Sequence, residues 1–217
     1  MDTLAELKKI EGDMIANTAL PLRAEANLVF GEGNIACKVM FIGEAPGVNE
    51  DRLRRPFVGR GGQLLDDMIR GLGWKREDVY ITNIVKRRPP ENRDPLPAEI
   101  EAYKPYLTRQ IEAINPKLIV TLGRFSMNYF LPEAKITRDH GCPLLVDGRT
   151  IFPVYHPAAA LRSTRMMETL RGDFKKIPDV LSGKFGMVEL PPAFAKPAKK
   201  PGSGAVRQEE PKQSGLF

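Results

Sequence analysis

The sequence predicts an α/β protein, a three-layer α/β/α sandwich around a mainly parallel four-stranded sheet. Three observations carry that expectation. Short apolar, β-branched runs at 39–42, 79–85, 117–123 and 150–155 alternate with amphipathic helical stretches, the pattern of parallel strands joined by crossover helices. Polar residues (Glu44, Asn83 and His156) stand at or just past the ends of three of those runs, where open α/β sheets bind ligands. The 217 residues hold one such domain with a generous core plus an appendage, whereas two domains would be cramped.

The elements follow in order. Leu4, Leu7, Ile10 and Met14 fall at helical spacing within 3–16, and Pro21 closes that region. Residues 24–34, with Gly31-Glu32-Gly33-Asn34, read as a partly extended connection. Val39 to Ile42 forms a buried strand that stops at Gly43. Gly43-Glu44-Ala45-Pro46-Gly47 then bars an immediate helix and lets backbone N–H groups approach a ligand closely. Leu64, Leu65, Met68 and Ile69 share one face of a helix over 62–72. The second strand, 79–85, has Asn83 near its end, and the proline-rich 86–95 is irregular. Pro97 opens a helix to Ile114, a third strand spans 117–123, and a short helix spans 124–131. Pro153 gives the fourth strand, 150–155, an edge position or an irregularity. A basic amphipathic helical stretch over 158–181 finishes the fold, so the folded unit is set at 1–188. Residues 189–217, rich in proline, lysine, glycine and serine, are expected to form a flexible tail.

Lysine and arginine number 33 against 27 acidic residues, a formal charge of +6 that mildly favours polyanionic partners. Cys37 and Cys142 are the only cysteines and show no pairing pattern, which points to a reducing, cytoplasmic setting. No apolar run approaches the roughly 20 residues of a membrane span. A phosphate loop and a Gly-x-Gly-x-x-Gly turn after a strand are both missing, which argues against an unrelated nucleotide-binding enzyme. Glu44, Asn83 and His156, far apart in the chain, are expected to converge on one sheet edge as a site. His140 lacks such a context and reads as a surface loop residue.

Four ordered stretches carry a resemblance. They are Gly43-Glu44-Ala45-Pro46-Gly47 with Glu50-Asp51 and Pro56-Phe57-Val58-Gly59; Thr82-Asn83 through Asn92-Arg93-Asp94-Pro95; Leu122-Gly123-Arg124; and His156-Pro157-Ala158-Ala159 with Leu161-Arg162. Over residues 29 to 175 the chain resembles the family 4 uracil-DNA glycosylases. The resemblance implies a uracil-DNA glycosylase-like fold and a monofunctional enzyme that swings deoxyuridine out of DNA and hydrolyses its N-glycosidic bond. Uracil would be released and an abasic site left, which initiates base excision repair. Asn83 carries a donor and an acceptor side by side, matching uracil N3–H and O4, whereas cytosine presents the opposite pattern. Phe57 is expected to stack on the extruded base, or else to plug the loop onto the core. His156 donates to O2 as negative charge builds on the leaving base, and the backbone of Gly43 and Ala45 completes the pocket. Glu44 faces the sugar, where it stabilises the cation, orients the water, or does both; Glu50 is the reserve candidate. Asn92, Arg93 and Arg87 are candidate DNA contacts. Leu161 and Arg162 are a wedge and a phosphate contact, or simply the start of a helix.

The family usually holds a four-iron, four-sulfur cluster on four cysteines, and the aligned positions here are Ala16, Ala19, Arg87 and Tyr103. Thiolates are needed, so no cofactor is expected; packing by Tyr103 and hydrogen bonding by Arg87 are expected in its stead. Arg54, where the family commonly has glycine, is a smaller departure. The tail ends Gln213-Ser214-Gly215-Leu216-Phe217, which resembles the peptide that binds the bacterial sliding clamp through Gln213, Leu216 and Phe217. The expected partners are uracil-containing DNA and that clamp, with no membrane, for a nucleoid-associated monomer. The competing reading is a clamp-tethered DNA-binding protein of the same fold that has lost catalysis.

Overall fold

The computed structural model describes residues 2–186 and the backbone of Val188–Glu189. Helix α1 (Thr3–Ala16) is capped by the Asp2 carboxylate, which accepts from the Leu4 and Ala5 amides and satisfies two of the helix's free donors. There follow β1 (Glu32–Gly33), β2 (Val39–Gly43), α2 (Val48–Leu53), α3 (Arg60–Gly71), β3 (Tyr80–Asn83), α4 (Pro97–Ile114) and β4 (Leu118–Leu122). The chain continues through α5 (Arg124–Phe130), α6 (Ile136–Asp139), β5 (Leu144–Val146), β6 (Arg149–Val154), α7 (Pro157–Ala160), α8 (Thr164–Leu181) and β7 (Val188–Glu189).

The sheet order is β1-β3-β2-β4-β6-β5-β7. The four expected strands, β3, β2, β4 and β6, pair in parallel at its centre. The expectation of four strands is corrected to seven among the described residues. β1, β5 and β7 are only two or three residues long, too short for a periodic pattern, and β1 and β5 run antiparallel to their central neighbours. Pro153 proves to be an irregularity inside the sheet. On one side β6 pairs with β4, while on the other β5 covers only Arg149 to Ile151, and the Pro153 carbonyl there accepts from the Gly141 amide instead of a strand. The helical stretch at 158–181 is also broken, because Ser163 caps α8 through the Met166 amide and separates it from α7.

Alternation along β2 builds the two outer layers. Met40 and Ile42 join Leu7, Ile10, Tyr103 and Leu107 of α1 and α4 in one core. Val39 and Phe41 join Leu65, Ile69 and Phe174 of α3 and α8 in the other. Phe41 stacks on Phe174 at 5.8 Å, and fully burying each such side chain stabilises the fold by about 1.5–3 kcal/mol. No described helix is long and apolar enough to cross a membrane.

Candidate active site

β2 lies between β3 and β4, so the chain leaves β2 to one side and returns on the other. That switch point opens a crevice at the carboxyl ends of the strands. A pocket of about 380 Å³ sits there, its lining including Ala45, Glu50, Phe57, Asn83, Asn92 and His156.

Asn83 ends β3 opposite Gly43 in register and is 1% exposed. Its Oδ1 is buried and accepts no hydrogen bond from any group of the protein. Glycine is required at 43 because a Cβ there would lie 2.5 Å from that oxygen and 2.4 Å from the Phe57 ring. Gly62 is required for a similar reason, since a Cβ would come within 2.0 Å of the Phe57 carbonyl. Phe57 itself holds a left-handed backbone, φ +51°, and is 6% exposed within the α3/α8 core. Its ring meets that of His156 at 5.7 Å with 29° between planes. The ring is therefore packed on the core, as the plugging alternative has it, and it also walls the pocket.

His156 precedes α7, and its Nδ1 accepts the Ala158 amide at 3.1 Å. The proton of the neutral ring therefore sits on Nε2. Burial pushes the imidazole down to about 4 against the weaker opposing pull of Glu50, so at neutral pH it is an uncharged donor.

The two glutamates separate. Glu50 lines the pocket, and its Oε1 accepts the Val58 amide at 2.9 Å and the Gly59 amide at 2.7 Å, fastening the loop that carries Phe57. Its Oε2 fills the space beside Gly47, where a Cβ would lie 2.8 Å away. Glu44 follows Gly43 but is not among the residues lining this pocket. Burial pushes its carboxyl up to about 7, the Asp94 charge adds to that, and Arg124 opposes it. Arg124 and Asp94 are themselves an ion pair, so the acid stands beside the proline-rich loop that also supplies Asn92 to the pocket.

An unpaired amide oxygen, a neutral imidazole and an aromatic wall thus share one pocket at a sheet's switch point. The family model described as Uracil DNA glycosylase superfamily matches residues 30–177. The chain is 47% identical over 173 residues to the Type-4 uracil-DNA glycosylase of Saccharolobus solfataricus, covering 73% of this chain and 78% of that one. It is 44% identical over 168 residues to the Type-4 uracil-DNA glycosylase of Thermotoga maritima, covering 75% of this chain and 88% of that one. The chain belongs to the uracil DNA glycosylase superfamily.

The other candidates fall at different places on this superfamily fold. Asn92 lines the pocket and accepts from Arg88 Nε at 2.7 Å. The Arg93 guanidinium is engaged by both oxygens of Glu99, which also receives the Leu96 amide, so it braces the start of α4. Arg87 is 6% exposed and donates to the Ala26 carbonyl at 3.0 Å, which fits the tie expected of it and not an outward contact with phosphate. Leu161 ends α7 with 37% exposure, next to exposed Arg162. Ala45 is in the pocket lining, whereas Gly43, the last residue of β2, is not and instead sits against the Phe57 ring and the Asn83 amide.

Sequence reasoning missed Arg76. Its guanidinium donates to the carbonyls of Pro56 and Phe57 and pairs with Asp66 and Glu32. Burial alone would raise the Glu32 carboxyl, but Arg55 and Arg76 hold it below the usual carboxylate range. Nothing in Lys75-Arg76-Glu77 signals this, because the partners lie far away in the chain. At the positions of the family's cluster ligands stand two methyl groups, a guanidinium and a phenol, and this donor set does not fit iron. Cys37 is buried elsewhere and Cys142 exposed, and among the described residues no group of three or more His, Cys, Asp or Glu could hold a metal ion.

Proposed function

We propose that the protein is a monofunctional uracil-DNA glycosylase that acts without a metal or cluster, releases uracil, leaves an abasic site and so initiates base excision repair. The observation that carries this reading is the buried, partnerless Asn83 Oδ1 in a pocket shared with neutral His156. An everted uracil gives N3–H to that oxygen and takes the Asn83 amide N–H at O4, while cytosine would set a lone pair against it. His156 Nε2–H donates to O2. As the C1′–N1 bond breaks and its electron pair passes to the base, that donor stabilises the anion without first having to lose a charge. Phe57 bounds the base from its side of the pocket. Glu44, close to the proline-rich loop, acts at the sugar, where its carboxylate stabilises the cation and takes a proton from the water that adds to C1′. Glu50 holds the Phe57 loop in this account.

A single-uracil oligonucleotide incubated with protein and then cleaved with alkali tests the proposal. Wild type should release uracil. Asn83→Ala and His156→Ala should each slow the single-turnover rate by about 10²–10³, the loss that follows removal of one transition-state donor. A wild type that binds the oligonucleotide without releasing the base would favour the clamp-tethered, inactive alternative. The clamp-peptide reading of Gln213, Leu216 and Phe217 lies outside the described residues. It rests on the sequence, as does the expectation of a cytoplasmic, nucleoid-associated monomer. Deleting residues 213–217 should abolish capture by the sliding clamp and leave oligonucleotide cleavage unchanged.

A further inference from the structure

The segment between α1 and β1 reaches the active site through a chain of hydrogen bonds. Tyr103 of α4 is fully buried, and its hydroxyl donates to the Pro21 carbonyl at 2.7 Å. Arg87, whose positive charge acts on that same phenol, donates to the Ala26 carbonyl at 3.0 Å. The next residue, Asn27, gives its backbone amide to Asp51 Oδ1 at 2.7 Å and its side-chain amide to the Asp51 carbonyl at 3.2 Å. Asp51 adjoins Glu50 in α2, and Glu50 holds the Val58 and Gly59 amides next to Phe57. Leu20 and Leu22 of the segment are also buried in the α1/α4 core, and the Val29 amide donates to the Lys86 carbonyl at 2.8 Å. An open groove of about 810 Å³ runs along it, bordered by the exposed Arg23, Ala24 and Glu25 and also by Ala26, Asn27 and Arg87.

We propose that Arg87 and Tyr103 are positioning residues for the base pocket. They staple the 20–27 segment so that Asn27 clamps α2 and sets Glu50 under the Phe57 loop. Two of the four positions where the family's cluster ligands would stand thereby do by hydrogen bonding what a metal would do by coordination. A staple of this kind contains nothing for a chelator or an oxidant to remove. Its contacts are also local: a guanidinium with six per cent exposure donates to the neutral carbonyl oxygen of Ala26.

This inference rests on the glycosylase reading for its rate readout, so the experiment carries a second readout that does not. Arg87→Met, Asn27→Ala and their combination are compared with Val180→Ala, a loss of packing on the opposite face of the sheet. Amide hydrogen exchange at Val58 and Gly59 should quicken about tenfold in both relay variants and stay unchanged in Val180→Ala. The maximal single-turnover rate should fall about tenfold in each relay variant, and the double variant should be no slower than the worse single one, as members of one path behave. Arg87→Lys, which keeps a donor toward Ala26, should recover part of the loss. Unchanged exchange at Val58 and Gly59 in Arg87→Met would overturn the inference, as would losses that add in the double variant. So would stoichiometric iron in the wild type that leaves together with its activity on chelation. A wild type that shows the exchange pattern yet releases no uracil would refute the glycosylase reading and keep the staple.

Discussion

Replacing Glu44 with glutamine should stabilise the protein, and only at high pH. The carboxyl titrates near 7 in the fold, raised by burial and Asp94, against an ordinary value of 4.5. Below pH 4.5 it is protonated in both states and contributes no penalty. As the pH rises toward 7 the unfolded chain ionises first, so stability is lost at about 1.4 kcal/mol per pH unit, roughly 3 kcal/mol if the interval is fully expressed. Partial solvent access at Glu44 cuts this to about 1–2 kcal/mol. Glutamine keeps the shape and drops the charge. Thermal unfolding of both proteins should therefore give equal midpoints near pH 4 and a gain of about 3–6 °C for Glu44→Gln near pH 8. The comparison with the variant is essential, because His156 acts in the opposite sense. Its lowered titration contributes stability that is full above about 6.5 and is lost as the pH falls through 4, so the two limbs offset in the wild type. In the glycosylase assay the wild-type rate should climb as the pH passes 7, and Glu44→Gln should lose both the rate and the climb. An equal midpoint difference at every pH, or a variant less stable at pH 8, would refute this account of the buried carboxyl.

Three further outcomes follow from the same geometry. His156 should show no NMR titration between pH 5 and 8, with a Nε2–H tautomer, because burial and the Ala158 amide fix both. Gly43→Ala should cost about 1–3 kcal/mol in chemical unfolding and most of the activity, since its methyl group would displace the Phe57 ring or the Asn83 amide. Arg76→Met should lower stability by about 2–3 kcal/mol and slow base release, because it frees the Pro56 and Phe57 carbonyls, leaves Asp66 without its partner and leaves Glu32 with Arg55 alone.

The central sheet was legible because its strands are largely buried and read as short runs of apolar, β-branched and aromatic residues. β1, β5 and β7 were not, since two or three residues carry no period. Asn83, Phe57 and His156 were legible as a site because each stands in a strongly patterned motif. The different surroundings of Glu44 and Glu50 were not, as they depend on which carboxylate finds the Val58 and Gly59 amides. Arg87 could be read as either a tie or a phosphate contact, and burial decides for the tie. Arg76 was invisible because all its acceptors are supplied by tertiary contacts.

The solitary amide oxygen at the floor of the cleft has an effect that begins before any strand of DNA arrives. No group of the folded chain donates to it, so the acceptor stays available to a hydrogen-bond donor that enters the cleft. Its position is fixed by the chain itself, through the register that ends β3 beside Gly43.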